Sequence, residues 1–348
     1  MRAITVIPHQ AGSMRLDANL AEPDPGPGEV VVEGRYIGVC GTDHELREGA
    51  YGWAPPERDR LVIGHESLGV VRSAPAGSGL SAGDLVAGIV RRPDPVPCPA
   101  CAVGQFDFCR NGQYVEHGIK SLDGFGREVW TAQPDAIQRI DPSLGDLGVL
   151  MEPTSVVAKG WDQTDKISSR AFFSPERLLV TGAGTIGLLA ALMGRHRGMA
   201  VDVLDRGDLG PKRSLVEALG ATYHDGPGTL GKGYDVVMEC TGAGSLIFDV
   251  IGRTGAPGVV CLLGVSGGGS QIKVDPSTLN NELVLENDVI FGSVNANKSH
   301  WEMAATTLAA ADKDWLARLV SRKVPMSKFD EAFEHSEGDV KVTIDLQH

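Results

Sequence analysis

Positive charge is short in this chain of 348 residues: 32 Lys and Arg stand against 45 Asp and Glu, for a net charge of -13. A surface of that sign repels the phosphates of nucleic acid and of anionic membranes, so neither is expected as a partner. Long apolar runs are missing too: no stretch approaches the ~20 residues that cross a bilayer. The start, Met1-Arg2-Ala3-Ile4-Thr5-Val6, alternates like a strand and lacks the basic-then-apolar order of a secretory leader. There is no internal repeat and no long low-complexity tract. Cysteine is sparse at six residues, and three of the six crowd between Cys98 and Cys109. In a chain that is not secreted, such crowding reads as metal binding or reactive thiols before disulfides, and a cytoplasmic setting is expected.

What remains is an ordinary globular balance, 42% hydrophobic and 22% charged, in a length that suits two domains. Residues 1–155 read as β-rich, with many short apolar runs separated by Gly and Pro, the pattern of a partly closed β-domain. From Arg177 the pattern changes to short buried strands alternating with helical stretches, over 178–180, 200–204, 235–239, 258–262 and 288–291. That alternation predicts a parallel, doubly wound sheet. Helical stretches are expected at 154–161, 186–195 and 301–311, followed by 315–320 and 328–335. The segment 342–344 reads as a strand returning to the first domain. The expected division is therefore 1–155 with 296–348, and 156–295 between them.

Two chemistries stand out. Cys40 and the neighbours His65 and Glu66 offer a thiolate, an imidazole and a carboxylate, the side chains that hold zinc. Adjacent residues in a strand point to opposite faces, so His65 and Glu66 serve one ion only if the chain turns there, as Gly64 permits. A buried thiol beside a salt-bridged His-Glu pair would leave the same letters. The second chemistry is Gly182-Ala183-Gly184-Thr185-Ile186-Gly187, directly after a strand and directly before a helix. In that place the three glycines make the turn, the close approach to a pyrophosphate and the helix–strand packing of a dinucleotide site. Asp205 ends the next strand, where a carboxylate meets ribose hydroxyls and repels a 2′-phosphate. NAD is therefore the preferred cofactor. Arg206, beside it, keeps NADP open.

The loop Cys98-x2-Cys101-x7-Cys109 suggests a structural zinc that would want a fourth ligand. Pro95 cannot ligate through its side chain, and Asp94 next to it can. Cys240 and Cys261 read as buried apolar thiols in strands.

Taken in order, these residues resemble the zinc-dependent medium-chain alcohol dehydrogenase superfamily. The carriers are Gly38-Val39-Cys40-Gly41-Thr42-Asp43, Gly64-His65-Glu66, the cysteine loop, Glu152-Pro153 and the fingerprint at Gly182. Within it the chain is similar to the microbial glucose 1-dehydrogenases, through Arg91-Arg92-Pro93, Glu116-His117-Gly118-Ile119-Lys120, Met151-Glu152-Pro153-Thr154 and Ser293-Val294-Asn295-Ala296-Asn297. The resemblance implies a GroES-like catalytic domain beside a Rossmann domain, and a homodimer or homotetramer. It implies a catalytic zinc on Cys40, His65 and Glu66, with Glu152 as an additional ligand. It implies that Thr42 and Glu152 act at the reacting hydroxyl and that Glu116 and Asn295 bind sugar hydroxyls. The implied reaction is oxidation of D-glucose at C1 to the lactone, with hydride passed to NAD or NADP. The family's cysteine loop carries four cysteines, and Pro95 stands at the first of those positions here. Other sugar, polyol or alcohol dehydrogenases share this chemistry. A nucleotide-binding redox sensor without catalysis is a reading of another class, and it has no use for the four metal-type residues.

Overall fold

The computed structural model describes residues 1–207, 210–267 and 271–348. Contacts divide them into two compact units, Met1–Ser155 with Asn295–His348, and Val156–Val294.

The first unit is organised on one long strand, Val30–Val39, whose side chains alternate between buried and half-buried positions over its first half. The strand Glu66–Ser73 pairs antiparallel with it, as do Val129–Ala132 and the C-terminal Lys341–Asp345. A smaller sheet joins Ala3–Val6 to Arg15–Asp17 and Leu61–Val62. The core between them is built from Ile4, Val32, Ile37, Phe125, Trp130 and Ile344. Phe125 touches the rings of both His117 and Trp130, at centroid distances of 4.4 and 4.8 Å. A third sheet carries Arg91–Arg92, Val115–His117 and Ser121–Leu122.

In the second unit, six described strands run parallel. Their spatial order is Thr222–His224, Ala200–Leu204, Arg177–Thr181, Tyr234–Glu239, Thr254–Leu262, Val289–Gly292. The central strands are buried nearly end to end, because parallel strands lie under connecting helices. Leu179, Val237, Val250 and Val260 fill the core. The fold is the expected α/β class, with a β-rich unit and a doubly wound sheet.

Several local readings need correction. The helix expected over 315–320 is Lys313–Leu319, and Val320 already begins the strand Val320–Pro325. The segment 328–335 forms tighter turns over Met326–Phe333, with a kink at Lys328. Cys240 lies just past its strand, half-buried, and its thiol donates to the Met238 carbonyl. The return of the C-terminal segment occurs as expected: Lys341–Asp345 lies against the strand that leads to Cys40.

Candidate active site

Two chain reversals bring the metal-type side chains together. Cys40 follows the long strand and precedes the helix Gly41–Arg47; its backbone N–H donates to Asp43 Oδ2 at 3.0 Å. Gly64 sits at φ +90, a conformation that a β-carbon disfavours, and turns the chain so that buried His65 faces Cys40. The result is a contact of 3.0 Å between Cys40 Sγ and His65 Nε2. Asp43 lies behind the imidazole, with Oδ1 3.7 Å from His65 Nδ1. Both of those atoms are buried without a hydrogen-bond partner. Cys40, Asp43 and His65 thus form a cluster whose ligand atoms all lie within 4.8 Å of one another.

Glu66 is arranged differently from the expected ligand set. Both of its oxygens accept from Lys341 Nζ, at 2.7 and 2.6 Å, and the lysine also donates to the Val39 carbonyl. Gly38 stands opposite Glu66 in the ladder, and a Cβ there would run into the carboxylate. Glu152 lies in the first turn of the helix Met151–Ser168. Burial raises its carboxyl to about 7, the Glu66 charge adds to the rise, and His65 opposes it. Thr42 is half-buried in the turn next to Cys40. Burial alone would depress His65, but Cys40 and Asp43 hold it well above its ordinary value. Burial likewise opposes the charge on Lys341, and Glu66 overcomes it. A thiol sulfur, an imidazole nitrogen and a buried carboxylate oxygen gathered within 4.8 Å of one another are donor types that fit zinc.

The sugar-type residues also come together. Asn295 Nδ2 donates to Glu116 Oε1 at 2.8 Å, although 179 positions separate them. Arg91 donates to the same oxygen, with Nε at 3.0 Å. Asn295 holds φ +62, a left-handed conformation that Asn tolerates better than most residues.

In the other unit, the glycine turn has the shape a dinucleotide needs. A Cβ at Gly187 would collide with the Gly182 carbonyl, whereas one at Gly184 would meet nothing within 4 Å. The helix Thr185–His196 starts there, and its first N–H groups and positive dipole end suit a pyrophosphate. Ile186 is half-buried in its first turn. Asp205 accepts from the Ala183 and Arg206 backbone N–H groups, at 3.2 and 2.8 Å. Lys212 Nζ is 3.4 Å from it, and the Arg206 side chain is exposed.

The thiols of Cys98, Cys101 and Cys109 also lie within 4.8 Å of one another. The Arg110 backbone N–H donates to Cys98 and draws its pKa down to about 6. Asp94, buried, joins the cluster through Asn111, which accepts from the Cys109 thiol at 3.0 Å and donates to Asp94. Sequence reasoning missed Asp43, Lys341 and Arg91 as parts of these clusters. The signal for Asp43 was its spacing of three from Cys40, the interval of a reciprocal helix cap.

Residues 145–346 match the family model described as Glucose dehydrogenase C-terminus, and residues 26–141 that of the Alcohol dehydrogenase GroES-like domain. The chain is 38% identical over 360 residues to a glucose 1-dehydrogenase of Methanocella arvoryzae, covering 99% of each chain. It is 39% identical over 335 residues to one from Halobacterium salinarum, covering 92% of this chain and 93% of the relative. Among solved structures, the Haloferax mediterranei glucose dehydrogenase in complex with NADP, Zn and gluconolactone matches with a TM-score of 0.91 and 32% identity, over 99% of both chains.

Protons and zinc compete for the same atoms of His65 and Glu152. A carboxyl raised in the folded state binds its proton more tightly there than in the unfolded chain. Glu152's contribution to the metal-free fold is therefore present below the ordinary carboxyl range and lost as pH rises through about 7. Zinc affinity should move the opposite way, tightening as pH climbs through that value. Titration against a competing chelator on either side of neutrality checks this, and Glu152→Gln should flatten part of the slope. An affinity indifferent to pH would contradict the assignment.

Proposed function

This chain belongs to the glucose dehydrogenase family of zinc-dependent medium-chain dehydrogenases, and from that premise we infer that it oxidises D-glucose, or a closely related aldose, at C1 to the lactone. The observation that carries the reading is the Cys40–His65 contact with partnerless Asp43 and His65 atoms around it. A sensor that only bound a nucleotide would have no need of it.

Cys40, His65 and Glu152 would hold the zinc, with Asp43 behind the His65 ring, 3.7 Å from its Nδ1. Glu66 is the further carboxylate of the set, held in place by Lys341. Zinc held there would supply polarisation of the C1 hydroxyl, and a bound nicotinamide would supply the hydride acceptor for C1. Thr42, next to Cys40, takes the hydroxyl proton at Oγ1 as its own Oγ1 proton passes to water. Oε1 of Glu116 is already taken by Arg91 and Asn295, which leaves Oε2 as the acceptor for a sugar hydroxyl. Asn295 supplies its amide beside it.

Gly182, Gly184, Thr185, Ile186 and Gly187 cradle the dinucleotide. Asp205 makes NAD the preferred acceptor, because its carboxylate repels a 2′-phosphate. Lys212 and Arg206 beside it give such a phosphate a counter-charge, which keeps NADP use within reach. All six cysteines are free, which supports a reducing, cytoplasmic setting. Among the described residues, no helix is long and apolar enough to cross a membrane.

The working form is a homodimer built through the second unit. Its strand Val289–Gly292 ends the described sheet, and the helix Pro276–Leu285 buries none of its residues. Val284 and Leu285 on that helix are 64% and 73% exposed. An edge strand of the described sheet and exposed apolar side chains in the same unit suit pairing with a second copy. Sedimentation velocity should give about twice the chain mass; a monomer at micromolar concentration would rule the dimer out.

Adding D-glucose to zinc-loaded protein should reduce the nicotinamide, with a higher kcat/KM for NAD than for NADP. The reverse ratio would mean that Lys212 and Arg206 outweigh Asp205. Cys40→Ser or His65→Ala should release zinc and lower kcat by at least about a hundredfold. Retention of zinc and full activity by either variant would refute the ligand assignment.

A further inference from the structure

Glu116 does not hold its own position. Arg91 donates to its Oε1 through Nε and also meets it through Nη2, both at 3.0 Å. Both side chains are buried, so this is a pair held away from water. Arg91 is fixed in turn from behind. Its Nη1 donates to the carbonyls of Asp107 and Phe106, at 3.2 and 3.5 Å. Its guanidinium lies 3.8 Å from the centre of the Tyr114 ring. Those two carbonyls belong to the turn Phe106–Phe108, which runs directly into Cys109.

The same turn reaches Asn295 by a second route. Asp107, buried, accepts from Asn297 Nδ2 at 2.9 Å. Asn297 caps the helix Lys298–Ala310 and stands two residues after Asn295. This turn within the cysteine loop therefore holds both residues of the sugar pair, Glu116 through Arg91 and Asn295 through Asn297.

We propose that the three-thiol loop is a control element for sugar affinity. An ion held by Cys98, Cys101 and Cys109 fixes the Phe106–Phe108 turn, and the turn positions Glu116 and Asn295 through Arg91 and Asp107. The three thiols supply three ligands to a thiophilic ion such as zinc; Pro95 offers none, and Asp94 is engaged by Asn111, so the fourth position falls to water. In this account Arg91 is a positioning residue: it does not touch the sugar but aims the carboxylate that does. The proposal rests on the reading of Glu116 and Asn295 as sugar contacts.

Four variants separate the two levels: Glu116→Gln, Arg91→Gln, Arg91→Lys and Cys109→Ser. Each is assayed for zinc content, for gluconolactone binding by calorimetry, for KM and kcat with glucose, and for NAD affinity as a check on folding. Glu116→Gln should weaken gluconolactone binding; wild-type binding in that variant would overturn the underlying sugar reading. Arg91→Gln should weaken binding roughly tenfold, as expected for loss of a hydrogen bond to a charged group. KM should rise while kcat moves far less, and Arg91→Lys should recover part of the loss. Cys109→Ser should lose about one zinc per chain, as expected for a site with three protein ligands, and weaken gluconolactone binding in the same way with NAD affinity unchanged. Loss of that zinc with unchanged gluconolactone binding would overturn the proposal while leaving the sugar reading in place. Unchanged binding in Arg91→Gln would overturn it as well.

Discussion

A sulfur and a nitrogen held 3.0 Å apart in the β-rich unit are the constraint on which the site depends. Cys40 can reach His65 only because the long strand stops one residue before it and because Gly64 turns the chain in a left-handed conformation. Asp43 is buried behind the imidazole, where burial raises its carboxyl pKa. Such an arrangement is costly in the absence of an ion, because buried polar atoms lack partners. Zinc binding would repay that cost, which couples the metal to the fold as well as to the chemistry.

Glu66 and Lys341 show how the unit tolerates charge in the same place. Their side chains are each 3% exposed and meet at 2.6 Å. Removing one partner of such a pair leaves an uncompensated charge, a cost of about 3–5 kcal/mol. The pair therefore joins the C-terminal strand to the strand that begins directly after His65, and Gly38 leaves the space in which the carboxylate lies. The Glu116–Asn295 pair follows the same logic. Glu116 is steadied by Arg91 from the neighbouring strand and by Asn295 from the far end of the sequence.

Local chemistry was legible in the sequence, and long-range pairing was not. The alternating strand-helix pattern after Arg177 announced the parallel sheet, because buried parallel strands are short apolar runs. The glycine fingerprint could be read because its three glycines answer to constraints within six residues. Cys40, His65 and Glu66 were visible as donor types. The tie between Glu66 and Lys341 was not, since it depends on two ladders, one from Lys341–Asp345 to Val30–Val39 and one from there to Glu66–Ser73. Arg91 was visible only as part of a resemblance; its role needs the register that sets it opposite Glu116. Val320 looked helical because a helix ends directly before it, and apolar spacing does not mark the residue at which a strand takes over.

The most direct test of the zinc assignment is the absorption spectrum of cobalt-substituted protein. Thiolate ligation gives Co(II) a charge-transfer band in the near ultraviolet. A variant with Cys98, Cys101 and Cys109 all replaced by Ser isolates the active-site metal. That variant should keep a band from a single thiolate, and adding Cys40→Ser should abolish it. A band that survives the loss of Cys40, or that is already absent once the three loop cysteines are gone, would contradict the claim that Cys40 and His65 hold the catalytic metal.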